Sequence, residues 1–128
     1  MLNPFKGLLS PRQAQGRRAE ALARSFLESR GYVFRAANAA TRAGEVDLVM
    51  EDRGALVFVE VRERSSDRFG AAAETVTPAK QRRVAQAALA YLKDNHLVGR
   101  PLRFDVVAVR NGACEHLPNA FAPAGFYL

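Results

Sequence analysis

Between Gly44 and Arg62 the chain reads GEVDLVM, then EDRG, then ALVFVEVR: two runs rich in Val, Leu and Phe around a short connection. Gly54 can take the positive φ that such a connection needs, so the stretch predicts an antiparallel hairpin. Side chains alternate along a strand, which places Glu45 and Asp47 on one face and Glu60 and Arg62 together on the partner strand. Folding the hairpin sets Glu60 beside Glu45 and Asp47, at Cβ separations of about 4.5 to 8 Å, close enough for two carboxylates to share a cation. Leu56 to Val61 is apolar on both faces except at Glu60, the pattern of a central strand covered on both sides. An ionised carboxylate there is costly unless it meets a metal, an Arg or Lys, or water in an open cleft. The pattern leaves two readings open: a cation site, or a half-solvated hairpin whose acids pair with Arg62 and Arg64.

The rest of the chain supplies covering elements. Residues 1–11 read as a loose lead-in, with Pro4 and Pro11 as breakers. From Arg12 to Arg30 the spacing is helical, with Ala19, Leu22, Ala23, Phe26 and Leu27 as the apolar stripe and Gly31 as C-cap. Glu20 lies just off that stripe, four residues after Gly16. It either contributes an acid to the hairpin or pairs with Arg17 or Arg24 on a solvated face. Tyr32–Ala36 predicts a short strand, and Asn38–Ala43 a loop. Glu63–Val76 is irregular and rich in small residues, the composition of a mobile flap. Thr77 caps a helix with Pro78 at its first position, and Val84, Ala85, Ala88, Leu89 and Leu92 form its buried stripe. Lys80 falls in the first turn, where the helix dipole disfavours a cation unless an anion is near.

Leu102–Val109 predicts another strand, and Asn111-Gly112 a tight turn into Ala113–Leu117. The tail from Pro118 to Leu128 keeps Phe121, Phe126 and Tyr127 and is expected to lie on the core. Asp105 interrupts its strand as Glu60 does, either as a carboxylate held by Arg103 or another Arg, or in catalysis. His96, Cys114 and His116 do not make a zinc set, because Cys114 and His116 lack partners at ligand spacing.

At 128 residues the chain suits one domain with its own core. No apolar stretch approaches the roughly 18 residues of a membrane span, and no targeting segment is visible, so a cytoplasmic protein with no membrane partner is expected. A single cysteine, Cys114, agrees with a reducing compartment. Nineteen Lys and Arg, sixteen of them Arg, against thirteen Asp and Glu give a net charge of +6. That balance favours a polyanionic partner. Arg17, Arg42, Arg64, Arg68 and Arg83 are the candidate nucleic-acid contacts.

Taken together, the helix acid after Gly16, GEVDLV, VFVEVR, a Lys opening the next helix, RFDVV and the closing HLPNAF resemble the uncharacterised bacterial YraN-type family. The match runs over nearly the whole chain. That family is similar to archaeal Holliday-junction resolvases and to the restriction-endonuclease-like fold, with an Asp followed by (Asp or Glu)-x-Lys. The resemblance implies an α/β protein with an αβββαβ core, a mixed central sheet flanked by helices. It also implies a Mg²⁺-dependent phosphodiesterase site, with Mn²⁺ as substitute, acting on branched DNA. On this resemblance Asp47 and Glu60 are the metal-binding carboxylates, Val61 supplies a main-chain oxygen, and Glu20 supports the site. Arg62 stands where the family pattern has Lys, and Lys80 is placed to supply the missing amine or a phosphate contact. Resolvase-like chemistry implies a homodimer, since two symmetric cuts need two sites. A module that binds nucleic acid on the same fold without catalysis is the alternative, and Arg62 is the residue that favours it.

Overall fold

The computed structural model describes residues 10–64 and 71–123. Helix α1, Pro11–Ser29, starts earlier than the breaker reading of Pro11 allows. Ser10 is its N-cap: Ser10 Oγ accepts from the Gln13 N–H at 3.1 Å, and Gln13 Oε1 accepts from the Ser10 N–H at 2.9 Å. Pro11 then sits at N1, where its missing N–H is not needed. Strands β1 (Val33–Ala40), β2 (Glu45–Asp52) and β3 (Ala55–Glu63) follow, then a short helix α2 (Ala71–Glu74) and helix α3 (Pro78–Asp94). Strands β4 (Leu102–Arg110) and β5 (Ala113–Phe121) complete the order. The sheet order is β1-β2-β3-β4-β5, antiparallel except for the β3–β4 pair, so the expected αβββαβ core is present with β5 added at one edge.

The central position of β3 explains its composition. Leu56, Val57, Phe58 and Val59 are all fully buried, because α1 covers one face of the sheet and α2 with α3 the other. On the α1 side Ala19, Ala23 and Leu27 meet Leu48, Val57, Val59 and Val107. On the α3 side Val84, Ala88 and Leu92 meet Val46, Phe58, Phe104 and Val106. Leu22 and Leu89, expected in the two buried stripes, are 41% and 37% exposed at their margins. Ala87 is buried on α3 instead, because the sheet's breadth brings a wider arc of the helix into contact.

Three further expectations are corrected. Strand β1 runs on through Asn38 to Ala40, residues read as loop, because Asn38 adopts φ 53 and lets the strand continue past a distortion. The segment read as a flap is structured in its second half: α2 and Val76 pack on the core, with Ala72 and Val76 buried. Residues 65–70, with Arg68, lie outside the described residues. Strand β5 extends to Phe121 through Pro118 because its register slips, Phe104 pairing with Phe121 and Val106 with Leu117. A bulge on an edge strand is where Pro is tolerated. Phe126 and Tyr127 lie outside the described residues. Among the described residues no helix is long and apolar enough to cross a membrane.

Candidate active site

Strand β2 departs from simple alternation at the residue that matters most. The β1–β2 register reads Ala37↔Leu48 and then Ala39↔Val46, passing over Asn38 and Asp47. The β2–β3 register begins only at Leu48↔Val59. Val46 and Val49 consequently share one core layer while Leu48 and Met50 face the other, an offset that strict period-two alternation does not give. Asp47 is thus released from both ladders, and its Oδ2 accepts the Val61 N–H at 2.8 Å. In an extended strand the N–H and C=O of one residue leave on the same side, so the Val61 carbonyl emerges beside this carboxylate.

Glu60 projects from β3 into the same place and is 8% exposed. Its Oε1 is buried with no hydrogen-bond partner, and its Oε2 lies 4.0 Å from the Arg62 guanidinium, at the limit of an ion pair. Burial, reinforced by the neighbouring Asp47 charge, pushes Glu60 up to about 8. Burial likewise pushes Asp47 up to about 6, with Glu20 and Glu45 adding to the rise and the Val61 N–H opposing it. Two carboxylates buried side by side therefore share protons at neutral pH unless a cation compensates them.

Gly44 lets β2 reach this position. A Cβ there would collide with the Arg83 carbonyl of α3, so the strand's entry is seated directly against the helix backbone. Glu20, half-buried on α1, accepts from Asn38 Nδ2 at 3.0 Å, and burial raises its pKa. Neither expected alternative partner takes it: Arg24 pairs with Glu28 at 3.3 Å, and Arg17 acts on Glu20 only at longer range. Asn38 is the residue that sequence reasoning missed. Its left-handed backbone and its bond to Glu20 do one job, fixing the helix acid beside the point where the β1–β2 ladder passes over Asn38 and Asp47.

Two adjoining cavities open on the carboxylates. One, of about 420 Å³, is lined by Asp47, Glu60, Arg62 and Lys80 together with Glu45, Arg42 and Arg83. The other, of about 480 Å³, shares Asp47, Glu60, Arg62 and Lys80 and adds Gly16, Glu20, Val61 and Arg64. The fold thus gathers Asp47, Glu60, Val61, Glu20, Arg62 and Lys80 at one cleft, with Arg42, Arg64 and Arg83 around it. Arg17 is exposed on α1 and does not line either cavity. The alternative pairing of the hairpin acids with Arg64 is absent among the described residues: Arg64 Nε is itself buried without a partner.

A small hard cation fits this donor set. The orphaned Glu60 oxygen and Asp47, which accepts one hydrogen bond among the described residues, leave carboxylate oxygen available for a cation at a cleft that both line, with the Val61 main chain beside them. Among the described residues no three His, Cys, Asp or Glu side chains converge as a metal-holding group. A cation held here therefore relies on two carboxylates completed by main-chain oxygen and water, which suits Mg²⁺, an ion that keeps several waters.

Asp105 has a different task. It is fully buried and saturated, accepting from Arg103 Nε at 3.0 Å, the Asn119 N–H at 2.9 Å and His116 Nε2 at 2.7 Å. Arg103 also reaches Asp52 at 3.3 Å and hydrogen-bonds the Tyr32 hydroxyl, tying neighbouring strands together at the end of the sheet away from Asp47. His116 is thereby engaged in the core, and the carboxylate held by Arg103 is the reading that holds.

The family model of "Uncharacterised protein family UPF0102" matches residues 19–109. A UPF0102 protein of Bordetella avium (strain 197N) is 46% identical over 123 residues, 94% of this chain and 85% of that protein. UPF0102 proteins of Yersinia pseudotuberculosis serotype O:1b (strain IP 31758) and of Yersinia pestis bv. Antiqua (strain Angola) are each 50% identical over 108 residues. These alignments cover 83% of this chain and 92% of each relative.

Proposed function

The chain belongs to the uncharacterised protein family UPF0102, and from that premise and the chemistry of its cleft we propose that it is a divalent-metal-dependent nuclease. Its substrate in this reading is branched or structured DNA. The observation that carries the proposal is the pairing of Asp47 and Glu60, two desolvated carboxylates of which Glu60 keeps an unsatisfied oxygen, in a cleft lined also by Glu45 and by Arg42, Arg62, Lys80 and Arg83. A structural ion pair would have closed on Glu60, whereas Arg62 stops at 4.0 Å.

Asp47, Glu60 and the Val61 carbonyl would hold the ion, and bound Mg²⁺ supplies charge neutralisation at the phosphoryl oxygen and acidifies water. The protein's own residues do the rest. Arg62 steadies negative charge that grows on the phosphate, a part that suits a guanidinium better than that of general base. Lys80, across the same cleft on the first turn of α3, carries the remaining amine. Its place near the positive end of the helix is compensated when a phosphate lies between them. Glu20, held by Asn38, keeps the α1 side of the cleft acidic and ready to accept a hydrogen bond from water.

Incubation of the protein with junction, flap and single-stranded DNA in Mg²⁺ or Mn²⁺ tests this. Cleavage that disappears in Glu60→Gln and Asp47→Asn, with DNA binding kept, is expected. Salt-sensitive binding without cleavage by the unaltered protein on any of these substrates instead establishes the non-catalytic binding module, the reading that Arg62 at the Lys position favours.

A further inference from the structure

A third cavity, of about 510 Å³, lies on the α1 side of the sheet and is lined by Gln15, Arg18, Leu22, Arg64, Asn111 and Gly112, among others. It is not separate from the carboxylate cleft. Ala19, Glu63 and Arg64 line both, so three cavities run end to end from Arg42 and Arg83, past Asp47 and Glu60, to Arg18 and the β4–β5 turn. Two features along this row are unexplained by the fold. Arg64 is anchored through its backbone, its N–H donating to the Val109 carbonyl at 2.9 Å, yet its Nε is buried with no partner. A buried guanidinium N–H lacking an acceptor matches an anionic oxygen supplied from outside. Gly16, inside α1 on the wall of the middle cavity, has nothing within 4 Å of an added Cβ, so a helix-weakening residue stands where the protein itself needs no room.

Each cavity falls in the range of about 300 to 1,000 Å³ that encloses one small molecule. Joined through shared walls, the three cavities offer a continuous course for a run of nucleotides along one strand. The cationic residues recur along the row, Arg83 and Arg42 at one end, Lys80 and Arg62 in the middle, and Arg64 and Arg18 at the other. Glu63, the acid on this last arm, is engaged by Gln15 Nε2 at 2.6 Å. Among the described residues no aromatic side chain lines the three cavities, so grip falls on the phosphates and not on base stacking.

We propose that the cleft between α1, the end of β3 and the β4–β5 turn is a strand-binding arm, in which Arg64 and Arg18 hold the backbone of a single-stranded nucleic acid that continues through the Asp47–Glu60 site. This rests on the nuclease reading for what happens at the carboxylates, and the arm itself stands on Arg64 and Arg18. It names the substrate class as a single-stranded segment, such as the free arm of a branched molecule.

Binding of a fluorescent oligothymidylate is measured by anisotropy in chelator across about 50 to 200 mM salt, where no cleavage interferes. Log-affinity falls by about 0.7 per neutralised phosphate against log salt. Arg18→Ala and Arg64→Ala are each expected to lower that slope by about 0.7, so that the affinity lost across this salt range shrinks about 2.5-fold. Arg53→Ala, at the far hairpin tip, leaves it unchanged, and Gly16→Leu weakens binding without loss of thermal stability. Slopes for Arg18→Ala and Arg64→Ala equal to that of Arg53→Ala, absence of oligothymidylate binding, or tighter binding of blunt duplex overturns the arm. Cleavage by a protein whose variants keep the full slope sinks the arm alone. The expected slopes in a protein that never cleaves sink the nuclease reading alone.

Discussion

Replacing Glu60 by Gln removes an ionisable group while keeping its shape, and the consequence for stability depends steeply on pH. Glu60 stands at about 8 in the folded chain, and its ordinary value is 4.5. An acid whose folded pKa is raised binds its proton more tightly when folded. Its full stability is present below the unfolded pKa and is lost as pH rises through the folded one. Between pH 5 and 9 the shift corresponds to a loss of about 4 kcal/mol for the wild-type chain. The Glu60→Gln variant has no such loss, although its amide inherits the orphaned oxygen position and forfeits about 1 to 3 kcal/mol at every pH. In chelator, the stability of the variant relative to wild type should therefore improve by about 4 kcal/mol from pH 5 to pH 9, or roughly 10 to 15 °C in Tm for a domain of this size. Asp47, at about 6, adds to the wild-type decline over the lower part of that window. Thermal unfolding of both proteins across this range is the assay. A gap constant with pH refutes the reasoning. So does a variant destabilised by about 3 to 5 kcal/mol at pH 9, the signature of a broken buried ion pair with Arg62.

Gly44→Ala drives a methyl group into the Arg83 carbonyl and is expected to destabilise by about 1 to 3 kcal/mol in urea unfolding, with cleavage lost in parallel as β2 shifts from α3. Stability unchanged would show that the strand does not rest on the helix backbone. Asn38→Gly keeps the left-handed backbone but releases Glu20, so stability should change by less than about 1 kcal/mol while cleavage falls. Unchanged cleavage would remove Glu20 from the site.

Much of this was legible in the chain. The uninterrupted burial of Leu56 to Val59 marks a central strand, and Thr77-Pro78 marks the start of α3, because local composition and tertiary demand coincide there. Asp47 and Glu60 were visible as carboxylates in apolar surroundings. What alternation could not give is the break at Asp47, which depends on Asn38 taking a conformation that no period reveals. The Gly that opens GEVDLV signals a close approach only once the partner is known, and that partner, the Arg83 carbonyl, is 39 residues away in sequence. Asp105 and Glu60 look alike as acids in strands. Only the distant positions of Asn119, His116 and Arg103 separate the saturated carboxylate from the unsatisfied one.

The central claim is that Asp47 and Glu60 are kept together for a cation, and calorimetric titration with Mn²⁺ at pH 7, repeated in buffers of different ionisation enthalpy, tests it most directly. One ion per chain should bind and release about one proton, since Glu60 at about 8 is largely protonated before the metal arrives. Both binding and proton release should vanish in Glu60→Gln. No heat attributable to Mn²⁺, or binding that persists undiminished in Glu60→Gln, would contradict the claim.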